Sequence, residues 1–169
     1  MDDNVLALSK RGHTSLDTLN AVKLLRQYDF KIGIQLMPGL PGDSESIFKD
    51  TIDKVIDLKP DMARLYPVII IRETELESMY NSGEYKPLSL EEAVRICGES
   101  CSRLEDSGIS VIRIGLMSSP SLLKDGEIVA GPWHSAFGFL VRSYIHHKKI
   151  LACLPRLNNN AIIGLRAPL

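Results

Sequence analysis

No apolar run in this sequence approaches the length of a bilayer span, which excludes a membrane-spanning helix. The opening residues, MDDNVLALSKRGH, are acidic where a secretory signal would be basic, so a cytoplasmic protein is expected. Charge of one sign is also missing: 20 Lys and Arg stand against 21 Asp and Glu, leaving no field to draw a polyanion or a membrane onto the whole surface. Cysteine is scarce. Cys97, Cys101 and Cys153 are odd in number in a chain without a secretory signal, so no disulfide framework is expected and free thiols are the default. No phosphate-binding loop, HExxH pair or serine nucleophile elbow is written anywhere in the chain.

What is present suits one globular domain. The 169 residues are 44% apolar and 24% charged, enough to bury a core of ordinary size. Thr14 and Asp17 form a capping-box start for a helix carrying Leu16, Leu19, Val22 and Leu25, which runs to about Tyr28. Lys31–Met37 alternates with period two and stops at Pro38–Gly42, the pattern of a strand feeding a rigid loop. Asp43 or Ser44 can cap the next helix, with Phe48, Ile52, Val55 and Ile56 on one face, until Pro60 ends it.

Met62–Tyr66 reads as a second strand, bent at Pro67 before Val68–Ile71 continues extended. A short helix near Glu75–Tyr80 follows. Ser89 and Glu92 then form a capping box for a helix whose stripe includes Ala93, Val94, Cys97, Cys101 and Leu104, closed by Gly108. Ser110–Gly115 is a third strand. Helices and strands alternate, which predicts an α/β fold with parallel pairing. Met117–Trp133 has no periodic pattern and reads as a long loop. Ser135 can cap a last helix, with Phe137, Leu140, Val141, Tyr144, Ile145 and Leu151 inward; Asn158–Asn160 breaks the pattern, and Arg142, Lys148, Lys149, Arg156 and Arg166 make the C-terminal end basic.

Three parallel strands cannot close a barrel and would leave two unpaired edges. The chain also begins inside a helical pattern, Val5–Leu8, with no strand before it. A missing N-terminal half is the simplest expectation.

Several residues are candidates for chemistry, each with a plainer reading. Met37–Gly42 ends a parallel strand, where α/β proteins place ligands, yet Gly and Pro also serve an ordinary turn. Arg11 could hold a carboxylate or lie in a solvated interhelical turn. Trp133 can staple the entry to the last helix, and His134 reads as an ordinary satisfied histidine. His146 and His147 diverge on a helix and suit a solvated basic face better than a metal site.

ALSKRGHTSLDTLNAVKLLRQYDFKIGIQLMPGLPGD, PDMARLYPVIIIRETELESMYNSGEYKPLSLEEAV and VIRIGL together resemble the radical S-adenosylmethionine proteins, in the branch of the elongator catalytic subunit. The resemblance covers roughly residues 1–140; RGHT, MPGLPG and LYPVIIIRET carry its specificity. A more distant likeness, through the GLPG loop, is to the oxygen-independent coproporphyrinogen oxidases.

The resemblance implies the C-terminal strand–helix units of a partial (β/α)6 TIM-like barrel, with residues 1–116 as half of the radical domain and 117–169 as a loop and helical extension. In the family, an N-terminal CxxxCxxC loop holds a 4Fe–4S cluster and S-adenosylmethionine chelates its open iron. This chain has no such loop: Cys97 and Cys101 match its first two positions, but Leu104 takes the third, and the pair lies on an apolar helix stripe that reads as packing. Cys153 reads as packing too.

By the same resemblance Arg11 contacts the methionine carboxylate of the cofactor, and Gln35 replaces the polar or acidic residue that binds its ribose. Ile34, Leu36, Met37 and Tyr66 form apolar walls. The implied activity is reductive cleavage of S-adenosylmethionine, with this chain inactive by itself and supplying positioning and shielding. Its expected partners are the missing half of the barrel or a second copy through open sheet edges, with RNA as an analogy to the elongator branch. The competing reading is a non-catalytic α/β interaction module that docks protein or RNA through its basic C-terminal helix.

Overall fold

The computed structural model describes residues 1–117 and 126–154. Arg156, Arg166 and Asn158–Asn160, and part of the Met117–Trp133 segment, lie outside the described residues. Two helices open the chain, α1 (Asp3–Leu8) and α2 (Ser15–Leu25). Then come β1 (Gly33–Leu36), α3 (Glu45–Leu58), β2 (Met62–Leu65), β3 (Ile70–Ile71), α4 (Glu75–Asn81) and α5 (Leu90–Asp106). The last elements are β4 (Ser110–Ile114), β5 (Ile128–Ala130) and α6 (Phe137–Cys153).

Local chemistry accounts for most helix starts. Thr14 and Asp17 exchange both bonds of a capping box, as do Ser89 and Glu92, and Ser44 caps α3 by accepting from the Ile47 N–H. The Gly108 backbone is left-handed (φ 82°) just past α5, where a side chain would be strained. The start of α6 departs from expectation. Its cap position is Ala136, not Ser135, and no side chain caps it. His134 Nδ1 instead accepts from the Ala136 N–H at 3.0 Å, which gives that histidine a structural role.

The fold is α/β, with a three-stranded parallel sheet in the order β1-β2-β4. Backbone pairing extends beyond the strands: Tyr66 N–H donates to the Leu36 carbonyl at 2.8 Å, and Val68 N–H to that of Pro38 at 3.1 Å. Helices α3, α5 and α6 cover one face. The core there joins Leu36, Ala63, Leu65 and Val111 of the sheet to Ile52, Val55, Leu104, Val141 and Ile145 of the helices. Cys97 and Cys101 are fully buried in the same core.

Beyond Pro67 the chain leaves the sheet, and β3 pairs antiparallel with β5 in a separate ribbon. The segment from Met117 to Trp133 therefore contains a strand where no pattern was read. Three residues are too few to show an alternation, and the partner of β5 is distant in sequence. Two further expectations need correction. Leu151 of α6 is exposed rather than inward, and Cys153 is exposed rather than packed. In α2, likewise, Leu16 is exposed and only Val22 is buried.

Candidate functional site

The C-terminal tip of β1 is the part of the sheet where sequence-derived candidates converge. Arg11 reaches it from the turn after α1: its Nη2 donates to Met37 Sδ at 2.9 Å. His13 Nδ1 lies 3.0 Å from the Arg11 carbonyl oxygen. Arg11, Gln35 and Met37 line one cavity of about 410 Å³ between α1, α2, α3 and β1, with Val22, Leu25 and Ile34 among its apolar walls. Tyr66 is not in that lining. It stands one strand over, joined to β1 through its backbone bond to Leu36.

The loop that follows β1 is held by residues the sequence did not single out for this task. Asp43 accepts from the N–H groups of Gly39 (3.0 Å) and Ser44 (2.9 Å). Burial raises the Asp43 carboxyl above its ordinary value, although both backbone bonds act in the other direction. Tyr85 donates its hydroxyl to the Gly39 carbonyl at 2.5 Å, and burial, with the Asp43 charge second, pushes this phenol up to about 12. Leu88 packs where a Gly39 Cβ would be, 3.0 Å from that position, and the Gly39 φ is +88°. Glycine is therefore required there twice, for conformation and for space.

A larger cavity, of about 560 Å³, lies among α3, α5 and α6. It is lined in part by Glu45, Glu99, Arg103 and Tyr144, whose polar groups are already engaged: Tyr144 donates to Glu99, Glu45 accepts from Arg95, and Arg103 pairs with Asp53. It does not join the candidate residues.

Among the described residues no group of three or more His, Cys, Asp or Glu could hold a metal ion. Burial pushes the Cys97 and Cys101 thiols up to about 12, against the thiolate that metal ligation needs. The set does not fit an iron–sulfur cluster. The Arg11, Gln35 and Met37 set does fit a small polar molecule with a carboxylate, because a permanent cation, an amide and an apolar surface border one cavity.

Residues 60–147 match the model of the Radical_SAM C-terminal domain. The chain belongs to that radical SAM family. Within the family it is similar to tRNA uridine(34) acetyltransferase of Methanocaldococcus jannaschii, 41% identical over 97 residues that make up 56% of this chain and 18% of that protein. It is also similar to human elongator complex protein 3, 30% identical over 99 residues, again 56% of this chain and 18% of the relative. A solved structure of archaeal Methanocaldococcus infernus Elp3 with an N-terminal deletion superposes with a TM-score of 0.78 at 33% identity, covering 90% of this chain and 36% of that one. This radical SAM chain thus lies in the elongator-like branch, and its match spans less than a fifth of the length of these two relatives. Among its described residues no helix is long and apolar enough to cross a membrane.

Proposed function

We propose that this chain is the C-terminal half of an elongator-type radical S-adenosylmethionine domain, supplying barrel wall and cofactor-positioning residues to a preceding half that carries the cluster. One observation carries the reading. Strand β1 has an unpaired edge among the described residues, that edge faces a cavity with apolar walls, and Arg11 is held at the tip of the same strand. A parallel strand laid into that groove would pair with β1 and extend the sheet toward a partial (β/α)6 barrel. Residues 1–116 would then form the half-barrel and 117–169 its extension. The matching of only part of each relative supports the same reading.

In the assembled domain this chain binds and shields. Arg11 donates its forked N–H groups to the methionine carboxylate of the cofactor, and Gln35 bonds the ribose hydroxyls. Met37 flanks the adenine, and Tyr66, one strand over, borders the barrel mouth. The cluster and its redox chemistry belong to the other half. The relatives named as tRNA uridine(34) acetyltransferases make RNA the proposed substrate of the whole protein.

Titration of the isolated chain with S-adenosylmethionine tests the residues. Weak binding is expected, reduced about tenfold by Arg11→Gln, the loss of one charged hydrogen-bonding group. Mixing with a half that carries CxxxCxxC, in the presence of a low-potential reductant such as dithionite, should yield 5'-deoxyadenosine only when both halves are present. Tight binding indifferent to Arg11→Gln and Gln35→Ala would overturn the assignment.

A second reading, an α/β interaction module that docks RNA or protein through α6, draws on the exposed run His146–Lys149. Steeply salt-dependent RNA binding by this chain alone, abolished by Lys148→Glu, would favour it.

A further inference from the structure

The helix-free face of the parallel sheet carries a row of polar residues. Gln35 of β1 is the direct partner of Arg64 of β2, and Arg64 is the direct partner of Arg113 of β4. The residues that follow them, Leu36, Leu65 and Ile114, pack into the core on the other side, so the row points away from the helices. All three are exposed. The Arg64–Arg113 pairing depends on a shift of register between Ala63 and Arg64, without which Arg64 would face Ile112.

Neighbouring strands lie about 4.8 Å apart, so two permanent cations start from adjacent backbones. Like charges directly opposite each other destabilise a sheet. Every other arginine of the described residues has a partner. Arg11 bonds Met37, Arg26 bonds Leu58, Arg72 bonds Gly126, and Arg95, Arg103 and Arg142 bond carboxylates. Arg64 and Arg113 have no hydrogen-bond or ion-pair partner among the described residues.

We propose that Arg64 and Arg113 together form a phosphate-binding subsite on the helix-free face of the sheet. The chemistry selects phosphate over a carboxylate. Two adjacent guanidinium forks offer more donors and more charge than one carboxylate can satisfy, whereas a phosphate presents several oxygens and up to two negative charges to both at once. That this phosphate belongs to the substrate of the assembled domain rests on the function proposed above; the subsite itself does not.

The test is a titration of this chain with inorganic phosphate, followed by NMR of the arginine Nε–H signals. Saturable shifts of Arg64 and Arg113 are expected, with affinity falling about tenfold in Arg64→Gln and in Arg113→Gln, each removing one charged donor group. Lys23→Gln, an exposed cation on α2, should leave the affinity unchanged. Acetate at equal ionic strength should not shift the two signals. Both arginines are exposed, so the variants keep the fold, and continued protection of Cys97 and Cys101 from thiol reagents checks this. Unshifted signals, equal shifts with acetate, or undiminished affinity in the double glutamine variant would overturn the subsite. Failure of S-adenosylmethionine to bind while phosphate binding persists would instead overturn the function reading alone.

Discussion

The two sides of this molecule are built to different degrees of completion. On the helix-covered side Ile52, Val55, Leu65, Leu104 and Val141 have no exposed surface, and the helices are tied across by bidentate pairs of Arg95 with Glu45 (2.6 Å) and Arg142 with Glu105 (2.8 Å). At the other end α2 buries only Val22 and leaves Leu16 59%, Leu24 55% and nearby Phe30 62% exposed. Yet α2 has a full capping box, no worse than that of α5. The contrast separates two causes. Capping makes a segment helical wherever it lies, while stability comes from a neighbour that covers its apolar stripe.

The largest effect is expected where the layer is complete. Leu104→Ala should cost about 2–5 kcal/mol, read by urea unfolding, because a fully buried side chain leaves a cavity. A loss no greater than that of an α2 surface variant would break the comparison. Next in size is Gly98→Val. A Cβ at Gly98 would lie 2.5 Å from the Tyr144 ring, so overpacking should cost about 1–3 kcal/mol, and Tyr144→Ala should restore much of it.

A smaller effect is set by acid. The Arg142 guanidinium bonded to Glu105 holds that carboxyl below its ordinary 4.5. The folded state therefore favours the carboxylate, and this contribution is present above that value and is lost as the pH falls through it and below. Unfolding midpoints of the wild type between pH 7 and 3.5 should drop further than those of Glu105→Gln. The smallest effect belongs to the uncovered side: Leu24→Ser should change stability by no more than about 0.5 kcal/mol, since this side chain is more than half exposed and outside the core. Its influence should be on association, read by light scattering, with less self-association than the wild type. Thiol labelling at neutral pH sharpens the same contrast at the level of single atoms. Exposed Cys153 should react at once, and Cys97 and Cys101 only on unfolding.

Much of the fold was legible because its signals are local. The capping boxes at Thr14–Asp17 and Ser89–Glu92 act within one helical turn, and Pro38–Gly42 ends a strand whatever surrounds it. The misreadings concern distance. The inward set for α6 was too wide: the structure buries Phe137, Val141 and Ile145, a stripe spaced by four that meets α5 and β4, while Leu140 and Tyr144 are half-buried. Strand β5 exists because Ile70 and Ile71 are there to pair with it.

The candidate site was legible only in part, for the same reason. Arg11 and Met37 are far apart in sequence; each is a candidate from its own local setting, and only the family resemblance assigns both to one cofactor. Arg64 and Arg113 went unremarked. Their adjacency is created by a register shift in the middle of β2, and no pattern along either strand announces such a shift.

The contact between Arg11 and Met37 has a thermodynamic corollary. A thioether is a poor acceptor, so a guanidinium resting on it is oriented without being neutralised, and a carboxylate arriving at the strand tip displaces sulfur at little enthalpic loss. Had evolution placed Glu at position 37, the arginine would be equally well aimed but already quenched. The soft ligand keeps the charge on standby.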